Sequence, residues 1–197
     1  MDVNLKTMVF GLGLALAASF SAGAGAEGST RRAEPPGAGL AVATFAGGCF
    51  WCMEPPFDRL EGVVSTTSGY TGGTVVGPSY KQVSAGGTGH AEAVRVVYDP
   101  AKVDYRTLLD VFWRNVDPFD AAGQFCDRGH EYRPAVFAHD EEQRRLAEAS
   151  KAALAASGRF APRPIAVAVE PARNFYVAED CHQDYYLKNA VRYRYYR

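Results

Sequence analysis

The sequence predicts an α+β domain: a mixed sheet on a ferredoxin-like split βαβ core, with long irregular loops. Three observations carry this. The 197 residues are 47% hydrophobic, enough for one substantial core and cramped for two. Short apolar runs alternate with amphipathic stretches in the order strand, helix, strand, strand, helix, strand, helix, strand. Two segments broken by glycine and proline, 71–89 and 116–131, interrupt that order and read as long loops.

Residues 1–26 stand apart from this pattern. Lys6 precedes an apolar run over 8–20, and small residues close it at Ala24-Gly25-Ala26. A positive start, a short apolar centre and an A-x-A site describe a secretory signal peptide cleaved after Ala26, which implies a secreted or periplasmic protein. The run is short for a bilayer span, and the alternative is an uncleaved N-terminal anchor. Residues 27–39, rich in Gly, Pro and charge, read as a disordered linker. The expected single domain is 40–197, monomeric and without stable membrane association once the leader is removed.

Within the domain, 40–45 reads as a buried strand ending at Gly47-Gly48. Pro55 and Pro56 are tolerated only in a first helical turn, so the following helix is expected to start near Met53 or Glu54 and run to Leu60, with Gly62 stopping it. That puts Cys49 on the turn before a helix N-terminus. A second strand is expected over 62–70 and a half-buried one over 91–98. Asp104 caps a helix over 105–115 whose Leu108, Leu109, Phe112 and Trp113 share one face. A strand over 133–138 follows. Asp140 then caps an alanine-rich helix that Gly158 ends, before a strand over 165–169 and a last helical segment over 179–188.

Charge excludes some classes of partner. With 21 basic and 22 acidic residues mixed along the chain, no basic stretch points to nucleic acid and no acidic tail to a cationic partner. The four cysteines are Cys49, Cys52, Cys126 and Cys181, and the four histidines have no paired spacing, so no metal site is expected. A domain of this size does not need disulfide stapling.

The thiols are therefore candidates for chemistry. A cysteine reacts as its thiolate, and a helix N-terminus favours negative charge on Cys49. Gly47 and Gly48 allow a sharp turn, and Phe50 and Trp51 would set two aromatic faces beside the sulfur. The same spacing fits a buried structural cysteine with Phe50 and Trp51 in the core, and spacing alone leaves both open. Cys49-x-x-Cys52 suggests thiol–disulfide chemistry without a thioredoxin context to support it. Gly87-Thr88-Gly89-His90-Ala91-Glu92-Ala93-Val94 places a carboxyl at the start of a strand after a glycine-rich loop.

These segments together resemble the A-type peptide methionine sulfoxide reductases. The matching stretches include Gly48-Cys49-Phe50-Trp51, Gly69-Tyr70, Tyr80, Gly89-His90-Ala91-Glu92-Ala93-Val94, Tyr98-Asp99-Pro100, Asp127, Tyr132-Arg133, Ala178-Glu179-Asp180 and His182-Gln183. The resemblance spans about 42–189, in one order. It implies reduction of methionine S-sulfoxide, peptide-bound and in some members free. Cys49 would attack the sulfoxide sulfur and become a sulfenic acid. Glu92, held protonated, would donate to the departing oxygen, with Tyr80 and Tyr132 as hydroxyl donors and Asp127 orienting the polar network. Phe50 and Trp51 would hold the S-methyl group. No cofactor is implied beyond an external thiol reductant such as thioredoxin, and the partners are oxidised proteins or peptides. Many relatives carry a resolving cysteine in a C-terminal tail, whereas no cysteine follows Cys181 here. Cys126, Cys52 and Cys181 are the candidates for that role. The rival readings are a general thiol–disulfide oxidoreductase, for which Glu92 is dispensable, and a non-catalytic module capturing oxidised peptides.

Overall fold

The computed structural model describes residues 30–158 and 163–196. The expected signal peptide over 1–26 lies outside these residues. The elements run β1 (Ala41–Ala46), α1 (Phe50–Asp58), β2 (Val63–Thr71), α2 (Tyr80–Ser84), β3 (Ala91–Tyr98) and α3 (Tyr105–Arg114). They continue with β4 (Gly123–Gln124), β5 (Asp127–Arg128), a 3-10 turn (His130–Tyr132), β6 (Ala135–Ala138) and α4 (Glu141–Ala156). Last come β7 (Ala168–Pro171), β8 (Tyr176–Val177), α5 (Tyr185–Lys188) and α6 (Ala190–Tyr196).

The main sheet has the order β7-β6-β1-β3-β2-β8. Its inner four, β6-β1-β3-β2, pair antiparallel throughout, and with α1 and α3 as crossovers they form the expected split βαβ core. The parallel pairing of β6 with β7 makes the sheet mixed. A two-stranded ladder of β4 and β5 stands apart from it.

Alternation along the strands sorts the core. Ala43 and Phe45 of β1 and Val94, Val96 and Tyr98 of β3 join Phe50, Met53, Phe57, Leu108, Leu109 and Phe112 in the larger apolar cluster. Ala46, Ala91, Ala93, Ala135 and Phe137 form a smaller one with Phe175. Phe45 is the hub of the first, stacked on Phe57 at 5.1 Å, Phe112 at 5.3 Å and Tyr105 at 6.1 Å.

Several boundaries differ from expectation, each for a tertiary reason. Helix α1 starts at Phe50 rather than near Met53, and Pro55 and Pro56 lie inside it. The Cys49 carbonyl accepts from Cys52 and Met53, so the helix is nucleated ahead of the prolines, and buried Phe50, Met53 and Phe57 hold it. The 71–89 segment contains α2, opened by a capping box between Ser79 and Gln82, and that S-x-x-Q spacing was present in the sequence to be read. The 116–131 segment contains the β4–β5 hairpin. The strand expected over 165–169 pairs only from Ala168, because the Ala166 amide bonds Pro118 first. The single helix expected over 179–188 is shortened to Tyr185–Lys188, since Asp184 adopts a left-handed φ of 51°, and α6 follows it.

The linker expectation needs correction over 30–39. Ala33 donates to Phe175, Val177 to Arg31, Arg95 to Glu34 and the Thr30 hydroxyl to Pro78. The first two bonds satisfy the outer edge of β8, and the other two tie the same segment to β3 and to the loop before α2. The caps Asp104 and Asp140 and the stop at Gly158 are as expected, with the Asp104 and Asp140 carboxylates accepting from Thr107 and Gln143.

Phe45→Ala should cost about 3–5 kcal/mol of unfolding free energy, since it removes a ring stacked on three others. A shifted denaturant midpoint at unchanged slope is the expected reading.

Candidate active site

Strand β1 ends at Ala46, and two glycines reverse the chain into α1. Gly48 has φ +85°, and a Cβ there would come within 2.6 Å of the Gln124 Cβ, so the close approach of the β4–β5 hairpin requires glycine. Cys49 is the N-cap of α1 and is only 8% exposed. The first amide of the helix, that of Phe50, finds its acceptor elsewhere.

One acceptor comes from the sheet. The alternation that sends Val94, Val96 and Tyr98 toward the helices also sends Glu92 that way, two residues earlier on β3. Glu92 is 2% exposed, and its Oε2 accepts from the Phe50 amide at 3.1 Å. Burial pushes the carboxyl up to about 8, against the Phe50 bond, while Asp127, Glu131 and Cys52 add to the rise. At neutral pH Glu92 is therefore a buried acid holding its proton.

Cys49 behaves differently from the expectation drawn from helix position. Its thiol is pushed up by the hydrogen bond with Cys52, by burial and by Glu92, and only the Trp51 amide opposes this. The helix N-terminus does not outweigh desolvation here, so the resting group is a thiol.

The other expected site residues gather around this pair. Burial raises the Tyr132 and Tyr80 hydroxyls, and Glu92, Asp127 and Cys49 each raise both further, which puts all five groups within electrostatic reach. Both tyrosines are half-buried, at the start of α2 and at the end of the 3-10 turn. Phe50 is buried, and Trp51 is half-buried and stacks on Tyr185 at 3.7 Å.

A cleft of about 420 Å³ opens at Cys49, lined by Cys49, Cys52, Gln124, Phe125, Cys126 and Asp127 among others. None of the four cysteines is joined in a disulfide. Cys181 is exposed and does not line this cleft; it lies near enough to Tyr80 to perturb it. The structure thus lines one cleft with Cys49, Cys52 and Cys126 and sets Cys181 outside it, toward Tyr80.

Several site residues were missed by sequence reasoning. The Trp51 indole N–H donates to His182 Nδ1 at 3.2 Å, and the His182 ring lies 4.4 Å from Tyr80 and 5.2 Å from Phe50. Burial lowers His182, in keeping with the neutral ring that this acceptor role needs. Glu179 ties the arc together, accepting from the Tyr70 hydroxyl at 2.9 Å and the Tyr80 amide at 2.7 Å. His182 and Tyr185 are three apart, a helical spacing that pointed to one shared face. Gln124, buried, pins its loop through bonds to Asp117, Asp120 and Gly123.

What presses Tyr185 onto Trp51 is a buried carboxyl on the back of α1. Glu54 accepts from the Asp184 amide at 3.0 Å, and Asp58 accepts from Thr66 at 2.6 Å and from the Tyr186 hydroxyl at 3.0 Å. Burial first, then Asp58 and Asp184, push Glu54 up to about 7.

Glu54 and Glu92 both bind their protons more tightly in the folded chain than in the unfolded one. Between the ordinary value of 4.5 and their folded values of about 7 and about 8, the folded state holds protons that the unfolded state has lost. Their contributions to stability are complete below that window and are lost as pH rises through it. Unfolding free energy is expected to fall from pH 4.5 to about 8, and Glu54→Gln to flatten the lower part of the fall. A pH series of denaturant titrations measures both.

A family model described as "Peptide methionine sulfoxide reductase" matches residues 41–197. The chain is 56% identical over 152 residues to the peptide methionine sulfoxide reductase MsrA of Ligilactobacillus salivarius, covering 77% of this chain and 88% of that one. It is similar to reduced Mxr1 of Saccharomyces cerevisiae, with a TM-score of 0.70 and 34% identity over 81% of this chain and 90% of that one. It is also similar to Mxr1 solved in complex with Trx2, with a TM-score of 0.53 and 26% identity over 78% of this chain and 89% of that one.

Proposed function

The chain belongs to the A-type peptide methionine sulfoxide reductase family, and on that premise we propose how its residues divide the reaction. The activity is thiol-dependent reduction of peptide methionine S-sulfoxide to methionine, with a thioredoxin-like reductant as partner. The observation that carries the residue roles is the Glu92 carboxyl, buried and protonated beside Cys49 under the Phe50 amide.

The sulfoxide oxygen meets the Glu92 acid and the Tyr80 and Tyr132 hydroxyls. As that oxygen accepts a proton, the substrate sulfur becomes cationic and draws charge from the neighbouring Cys49. The resting thiol thereby ionises only when substrate is present. Cys49 attacks the sulfur, and in balance the substrate S–O bond breaks, methionine gains two electrons, and Cys49 leaves as a sulfenic acid. The Phe50 amide occupies Glu92 Oε2, so the carboxyl's other oxygen is left to carry the proton. Asp127 reinforces that protonation through its charge. Phe50 and Trp51, with His182 and Tyr185 behind them, form the apolar wall for the S-methyl group. Cys52, hydrogen-bonded to Cys49 already, is the first thiol to attack the sulfenic acid, giving a disulfide and water. A general thiol oxidoreductase would have no use for an acid buried at this position, and a capture module no use for the thiol pair.

Single-turnover methionine formation should vanish in Cys49→Ser and fall roughly a hundredfold or more in Glu92→Gln. Since the acid form is the working one, the wild-type rate should decline as pH rises through about 8, and this limb should be missing from Glu92→Gln. The R epimer should give almost no product. Full activity in Cys49→Ser would remove the proposal.

Export is part of the same reading. The leader over 1–26 supports a secreted or periplasmic location, and a mature protein beginning at Glu27 is the expected result of N-terminal sequencing. An intact Met1 would reject it.

A further inference from the structure

The direction of the Trp51 indole depends on which nitrogen of His182 carries hydrogen. A neutral imidazole has one N–H and one lone pair, and an indole N–H can only donate. Trp51 donates to His182 Nδ1 at 3.2 Å, so the His182 hydrogen stands on Nε2. Burial lowers His182 and keeps the ring neutral. With the hydrogen on Nδ1, two N–H groups would face each other among the rings of Phe50, Trp51 and Tyr80, and the indole would lose its partner.

One carboxylate favours the form that is needed. Glu179 Oε2 lies 4.0 Å from His182 Nε2, where an anionic oxygen favours a nitrogen bearing hydrogen over one bearing a lone pair. That carboxylate is itself held on both oxygens. Its Oε2 accepts from the Tyr70 hydroxyl at 2.9 Å, and its Oε1 accepts from the Tyr80 amide at 2.7 Å. The backbone beneath it is fastened to β2, since the Gln183 carboxamide bonds both the amide and the carbonyl of Ser68, and the Ala178 amide bonds that carbonyl too. Glu179 therefore meets His182 from a fixed direction, set by the sheet on one side and by the start of α2 on the other.

From this geometry we infer that Glu179 is a positioning residue for substrate binding: it holds His182 in its Nε2–H form, which turns Nδ1 to the Trp51 indole and locks that ring as the wall for the S-methyl group. The inference rests on the reductase reading, which gives the wall its S-methyl group to hold. Glu179 touches no reacting atom. It acts through His182, and a change there reaches the substrate as a misplaced indole.

The test has a spectroscopic and a kinetic half, both on the full-length chain. Heteronuclear NMR of protein labelled at its histidine ring nitrogens reports which nitrogen carries hydrogen, with His182 assigned by its loss from His182→Gln. The expected wild-type form is Nε2–H, and a wild-type Nδ1–H form overturns the inference with no variant at Glu179 needed. Glu179→Gln is close in shape. Its carboxamide oxygen must stay on the Tyr80 amide, so its NH2 faces His182 Nε2 and should turn the ring to Nδ1–H. KM for a peptide methionine S-sulfoxide should then rise about tenfold with kcat within about twofold, the pattern of binding lost equally from ground and transition states. In Trp51→Phe, which has no indole N–H to place, adding Glu179→Gln should raise KM by less than about twofold. An unchanged Nε2–H form or KM in Glu179→Gln overturns the inference, as does the full rise in the Trp51→Phe background. A fall in kcat at constant KM also overturns it, because Glu179 would then act through the Tyr80 hydroxyl. A wild-type chain that forms no methionine overturns instead the reductase reading, and leaves the NMR result standing.

Discussion

The bond from the Phe50 amide to the Glu92 carboxyl joins the centre of the sheet to the first turn of the helix that Cys49 caps. Each side needs the other. The amide is one of the unpaired donors at a helix start, and the carboxyl is buried where an ionised group is costly. Keeping Glu92 neutral reconciles the two, since a neutral carboxyl still accepts the bond and holds a proton to give. The same bond fixes the first turn of α1, and with it Cys49 at the cap, against the sheet.

Around this bond the site is assembled from segments far apart in the chain. The hairpin of β4 and β5 closes one side, pinned by Gln124 against Gly48. The segment after β8 closes the other, where His182 and Tyr185 lie on Trp51 because Glu54 and Asp58 tie α1 to Asp184 and Tyr186. One short helix thus supplies Cys49 at its cap, the aromatic wall in its first turn and the tether in its second. Two prolines in nine residues are tolerated because neighbours, not helix propensity, hold it.

Much of this was legible in the sequence. A short apolar run set β1, period-two alternation set β3, and Asp104 and Asp140 announced their helices through their side-chain bonds. Cys49, Glu92, Tyr80, Tyr132 and Asp127, far apart in the sequence, lie within electrostatic reach of one another. Where reading failed, local rules were overruled by distant contacts. Proline logic misplaced the start of α1, composition misjudged 30–39 as loose chain, and the last helix was drawn straight through Asp184, whose amide bonds Glu54.

The order of elements, the split βαβ topology and the place of Cys49 at the start of α1 are properties of sequence, because alternation, caps and glycine turns act over a few residues. The protonation of Cys49 and Glu92, the wall built from His182 and Tyr185, and the meeting of Cys49, Cys52 and Cys126 in one cleft are not. They depend on burial and on distances across the fold, and no spacing along the chain records how much water a folded side chain has lost.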